Sequence, residues 1–196
     1  MHIFRTIFNL SAASYTFNQP YVYRVSIKDN HIAEKRGNGL RKLSVSQLIV
    51  HTEGCEGDYN QYRTKHKCST NDRAVSIMTK KLLDTLTSEG WGPVMPGDLG
   101  ENITVDGEIT FQIGKVYSIG SVLLEITEDI ETCNKLQYLP YVGREKRKDF
   151  LKALEHRRGW YAKVLSEGVI FPGDKVTEIA NHEEGSVNLI APGDPR

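Results

Sequence analysis

The run NITVDGEITFQIGKVYSIGSVLLEITE, residues 102–128, decides the fold. Its apolar residues fall in short pieces, Ile103 to Val105, Thr110 to Ile113 and Val122 to Thr127, divided by Gly107, Gly114 and Gly120. β-Branched and aromatic side chains suit a pleated, half-buried surface, and glycine permits the corners between such pieces. The run therefore predicts short strands with glycine corners, as in a β-barrel. Working outward, Tyr21 to Ile27 alternates in polarity and reads as a strand, and the polar run Asp29 to Lys42 reads as a loop. Leu48 to Val50 leads into Gly54 and Gly57, where a tight turn is expected. Toward the C-terminus, Tyr161, Val164, Val169, Ile170, Phe171 and Val176 surround Gly168 and Gly173, so Trp160 to Ile179 predicts at least two closing strands. Two helices interrupt the pattern. Thr79 to Glu89 puts Leu82, Leu83 and Leu86 on one face and stops at Gly90. Glu145 to Arg157 puts Phe150, Leu151 and Leu154 opposite a charged face. The fold class expected is mostly β, a barrel with a few peripheral helices.

At 196 residues the chain suits one domain better than two. We divide it into an N-terminal extension (1–20), a domain (21–180) and a C-terminal tail (181–196). With 25 basic against 25 acidic residues, the bulk charge carries no footprint for nucleic acid. No apolar run approaches the roughly 20 residues of a membrane helix. The first 20 residues lack a basic start, an apolar stretch and a cleavage site, so a cytoplasmic location is expected. The three cysteines, Cys55, Cys68 and Cys133, are an odd number and make a poor disulfide framework, which leaves at least one thiol for another task.

Four pieces of sequence follow one another in a specific order: Gly54-Cys55-Glu56-Gly57-Asp58, then Pro96 through Asn102, then Cys133-Asn134-Lys135-Leu136, then Arg158-Gly159-Trp160-Tyr161. A fifth, Gly168 through Val176, closes the set. Singly they are ordinary turn sequences; in this order, over residues 21 to 180, the chain resembles the MOSC domain family, named after the C-terminal part of molybdenum cofactor sulfurases. The resemblance is to its small, stand-alone bacterial members, and it implies a mostly β, barrel-like fold.

By that resemblance Cys133 stands where the family has a ligand of molybdenum or an acceptor of sulfur, work that suits a soft, nucleophilic thiolate. Family members often carry Arg and Pro just before this cysteine, where this chain has Ile130, Glu131 and Thr132. Arg73, Gly100, Glu101, Asn102, Lys135 and Arg158 are the matching candidates for binding molybdenum cofactor (molybdopterin). Glu128, Asp129 and Glu131 supply negative charge near Cys133, so activation falls to cations such as Lys135, Arg157 and Arg158. The competing reading is a buried, inert cysteine.

Arg63, Lys65, His66, Lys67 and Arg73 form a basic cluster that is either a phosphate site or a solvated loop. His51, Cys55, His66 and Cys68 make a conceivable zinc set, with a spacing unlike the common fingers. Trp160 and Tyr161 read as core residues.

Three functions stay open. The chain accepts sulfur on Cys133 as a persulfide, or binds molybdenum cofactor through it, in metal-sulfur cofactor biosynthesis. It is a molybdenum-dependent reductase of N-hydroxylated substrates, fed by a separate electron-transfer reductase. Or it is a non-enzymatic barrel that binds an anion or a partner. The first needs a sulfur-donor protein, because a PLP-dependent sulfurase domain does not fit this length, and PLP is not expected on this chain.

Overall fold

The segment Val122–Asp129 shows how the β-pattern folds: Val122, Leu124 and Ile126 are fully buried while Leu123, Glu125 and Thr127 between them are half-buried, the two-residue period of a strand with one face inward. The computed structural model describes residues 19–28, 40–59 and 71–180. Outside them lie residues 1–18 of the extension, 29–39 of the first loop, the tail 181–196, and the stretch 60–70, which holds Arg63, Lys65, His66, Lys67 and Cys68.

In chain order the described strands are β1 (Tyr21–Ile27), β2 (Leu43–Val45), β3 (Leu48–His51), β4 (Gly54–Cys55), β5 (Val75–Thr79), β6 (Ile103–Asp106), β7 (Val116–Ile119), β8 (Val122–Asp129), β9 (Trp160–Ser166), β10 (Gly168–Ile170) and β11 (Val176–Glu178). The helices are α1 (Lys80–Ser88) and α2 (Arg147–Ala153). Eight strands pair in the order β11-β7-β8-β9-β5-β6-β1-β2, and β10-β3-β4 form a smaller sheet. β5 and β6 are parallel and α1 links them; the other pairs are antiparallel.

The fold is mostly β, as expected, but the named strands do not close into a barrel. The sheet curls until the segment before β11 reaches β1. There Tyr21 bridges Lys175, Val22 N donates to Asp174 O (2.8 Å), and Gly173 N donates to Val22 O (2.7 Å). β11 is three residues long, too short to carry a full ladder across the gap.

Alternation along β5 and β9 feeds two cores. Ile77 and Trp160 pack in the main sheet core with Val25, Ile103, Leu124 and Ile126, and Phe111 lies between Tyr117 (ring centroids 4.7 Å apart) and Trp160 (5.3 Å). Met78 and Tyr161 point to the second core, built from Leu82, Leu83 and Leu86 of α1, Phe150 of α2, Leu99 and Leu136. Thr79 caps α1 by accepting from Leu82 N (3.3 Å), and Gly90 follows with φ 89°.

Two expectations are corrected, and one strand had no expectation to match. Thr110 to Ile113 is loop, anchored by buried Phe111, and the strand lies at β7 instead. β5 was not foreseen: four consecutive buried residues show no alternation, as in a strand covered on both faces. The second helix is shorter than Glu145 to Arg157, because turns occupy 141–145 and 154–157.

Candidate functional site

Gly97 opens the turn that carries Gly100, Glu101 and Asn102. Its φ is 90°, and a Cβ there would lie 2.5 Å from Lys42 O, so only glycine lets the two segments close, with Lys42 N donating to Gly97 O (2.8 Å). Asn102 then ties three segments together. Its Nδ2 donates to Ser26 O (3.2 Å) and Asp58 Oδ2 (3.0 Å), and its Oδ1 accepts from Ser76 N (3.2 Å) and Ser76 Oγ (2.9 Å). Asp58 is completed by Lys42 Nζ at 2.7 Å and Lys28 N at 2.7 Å. The Lys42 and Asp58 side chains are 8% and 6% exposed, so each charge depends on the other. Asn102 and Asp58 are therefore structural ties that fix the turn.

Arg158 joins this turn to the cysteine segment. Its guanidinium donates to Leu99 O (2.7 Å) through Nη2 and to Glu131 O through Nη1, and the residue is 6% exposed. Cys133, two residues beyond Glu131, is half-buried in extended backbone (φ −132°, ψ 133°), at the start of a 3-10 turn over Asn134–Tyr138. Burial pulls the Arg158 pKa down, while Tyr161, Cys133 and Glu101 pull it up, so these four groups share one electrostatic neighbourhood. Tyr161 is pushed up by burial and pulled down by Arg158 and Arg73. The phenol stays neutral beside the thiol.

Glu101 is fully buried, and burial raises its pKa against the hydrogen bonds to Oε1 from Gly97 N (2.6 Å) and Thr104 Oγ1 (3.1 Å). Among the described residues, two buried side-chain polar atoms have no partner: Glu101 Oε2 and Arg158 Nε. Lys135 lies close enough to Lys28 to lower its pKa, after the larger effect of burial, and Lys42 adds to this.

The structure thus gathers Cys133, Glu101 and Arg158, with Gly100 and Asn102 on the adjoining turn. Lys135 faces Lys28. Arg73 borders this group from the side of Tyr161: Glu128 holds it at 2.5 Å and 2.7 Å, and its guanidinium lies 5.3 Å from the Tyr161 ring centroid. Arg157 pairs with Glu89 (2.7 Å). Of the suggested zinc set, Cys55 is buried in the sheet core and His51 contacts Glu56 and Glu167, while His66 and Cys68 lie outside the described residues. Among the described residues no group of three His, Cys, Asp or Glu side chains could hold a metal. Lys42 and Tyr161 were not foreseen as site residues. A buried aspartate needs a cation, so Asp58 in its glycine turn was the available signal for Lys42.

The family profile of the MOSC domain matches residues 63–177. The chain belongs to the MOSC domain family. The YuaD protein from Bacillus subtilis has a similar structure, with a TM-score of 0.65 at 16% identity over 81% of this chain and 94% of that one. YiiM from Geobacillus stearothermophilus is also similar, with a TM-score of 0.61 at 22% identity, covering 82% and 75% of the two chains. YiiM from Escherichia coli gives 0.55 at 19%, covering 82% and 70%. At these identities the likeness shows the fold. No curated protein matches the chain significantly.

Proposed function

We propose that this MOSC protein takes up sulfur on Cys133 from a donor protein and passes it on, in the service of metal-sulfur cofactor biosynthesis. The observation that carries the reading is the placement of Cys133. It is half-buried, and its backbone is held by Arg158 through Glu131 on one side and by the 3-10 turn on the other. The Cys133 thiolate attacks the outer sulfur of a donor persulfide. A new S–S bond forms as the donor's S–S bond breaks, and the donor thiolate leaves with the electron pair and takes up a proton. Release repeats the exchange with an acceptor thiolate, so no net oxidation occurs. The sulfur arrives already mobilised, which asks for no PLP on this chain.

A second reading, molybdenum cofactor bound through Cys133, draws support from the cations. The residues fit the group: a thiol is a soft metal ligand, Lys28 and Lys135 offer positive charge for a pterin phosphate, and Arg158 has an unused buried donor. When bound, the group supplies a metal centre for two-electron chemistry, such as reduction of an N-hydroxylated substrate with electrons from a partner reductase. The chain's own part is to hold the thiol and neutralise the phosphate.

The test is elemental analysis for molybdenum, beside intact mass before and after reduction, on wild type and Cys133→Ala expressed in a cofactor-competent host. The relay gives one reducible sulfur atom on wild type, absent in Cys133→Ala, and no molybdenum. Molybdenum that disappears with Cys133 shifts the assignment to the cofactor protein. Neither signal leaves a barrel-like binding module and overturns both.

A further inference from the structure

Arg158 has three nitrogens that donate hydrogen bonds, and two of them, Nη1 and Nη2, are engaged by the backbone oxygens of Glu131 and Leu99. The anchored guanidinium keeps Nε, with one N–H, as a buried donor without a partner. Glu101, two residues past Leu99, shows the complementary feature: Oε1 is bonded to Gly97 N and Thr104 Oγ1, while Oε2 is fully buried and unpartnered. Buried polar atoms are normally satisfied, and here two unsatisfied ones of complementary kind belong to Glu101 and to the arginine anchored two residues before it, at Leu99 O, which marks a place for a small polar guest. Glu101 and Cys133 both act electrostatically on Arg158.

We propose that Arg158 Nε and Glu101 Oε2 form a polar subsite beside Cys133 that holds the outer sulfur of a Cys133 persulfide, Nε–H donating to that sulfur and its S–H donating to Oε2. This rests on the reading of Cys133 as a sulfur carrier. No covalent bond forms or breaks in the subsite. Its effect is retention: the outer sulfur turns inward, away from reductants in solution, until an acceptor draws it out. Arg158 and Glu101 are then positioning residues for the carried sulfur, and the fixed Nη1 and Nη2 bonds keep Nε in place.

The experiment loads wild type, Arg158→Lys and Glu101→Gln with glutathione persulfide, then follows sulfur loss from Cys133 to cyanide by intact mass, with a melting curve for each protein. The expected result, measured on the loaded fraction of each protein, is loss about tenfold faster in both variants, the factor that one charge-assisted hydrogen bond supplies. A merely structural role changes the melting curve and leaves the loss rate alone. If Arg158→Lys does not fold, the nearly isosteric Glu101→Gln decides the matter alone. Variants that load and retain sulfur as wild type does overturn the subsite while leaving the carrier reading intact. Wild type that takes up no sulfur at Cys133 overturns the carrier reading, and the subsite with it.

Discussion

Cys55 lies in β4, paired with Val50, 8% exposed and packed among Leu48, Val50 and Ile170 of the sheet core. Cys133 lies in a loop after β8, half-buried, in the field of Arg158 and Tyr161. The side chains are identical, and the environments assign them opposite work. An apolar, strand-locked setting makes a cysteine a small hydrophobe, whereas a partly open, cation-flanked one leaves the sulfur available. What separates the two is the buried polar framework around Arg158, so the ways to break the comparison act on exposure first and on that framework next.

The largest effect expected is kinetic. Iodoacetamide should modify Cys133 at least about a thousandfold faster than Cys55, because a core strand reacts only when it opens, at a cost of about 4 kcal/mol or more. Peptide mapping of time points measures the ratio, and comparable rates would erase the distinction.

Next comes Arg158→Met, which strips the donors from the buried carbonyl of Leu99 and the partly buried carbonyl of Glu131. Urea unfolding should show a loss of about 2–4 kcal/mol. In the same variant Cys133 should remain reactive and be modified faster than in wild type as the loop loosens.

Glu101→Gln tests burial of charge. Its pKa is raised in the folded protein by burial, so its contribution to stability is complete below the ordinary carboxylate range and is lost as pH rises through the folded value. The glutamine variant should therefore melt above wild type at neutral and alkaline pH, and the gap should close at acidic pH. A gap that widens in acid would show that Glu101 is ionised and paired instead.

The smallest effect belongs to Arg73→Gln. The Arg73 and Glu128 side chains are 28% and 36% exposed, and such pairs contribute about 0–1 kcal/mol. The change should leave both stability and Cys133 alkylation near wild type. A loss as large as that of Arg158→Met would place Arg73 in the same framework.

Much of this was legible in the sequence, and the reasons differ by region. β1 matched its expected bounds through its Tyr- and Val-rich composition, although a bulge at Val22 to Arg24 breaks its period of two, and α1 fills the span between its caps Thr79 and Glu89 because Leu82, Leu83 and Leu86 share one buried face. β5 was invisible because it is covered on both sides. Thr110 to Ile113 misled because its β-type composition serves a loop around one buried ring, Phe111, while Val116–Ile119 carries the ladder. In the site, Cys133 and Arg158 were readable from the order of the motifs, as was the Gly97 to Asn102 turn. The pairing of Lys42 with Asp58 and the approach of Tyr161 to Cys133 were not, because they depend on long-range folding that no local spacing encodes. The pairing of Arg73, a candidate from the basic cluster, with Glu128 on β8 was likewise beyond local reading, since 55 residues separate the two.

The most direct measurement is to treat the folded protein with glutathione persulfide and locate the added sulfur by peptide mapping, in wild type and in Cys133→Ala. The account predicts sulfur on Cys133, none on Cys55, and none in the variant at the corresponding peptide. Sulfur on Cys55 with Cys133 untouched, or equal uptake by wild type and variant, would contradict it.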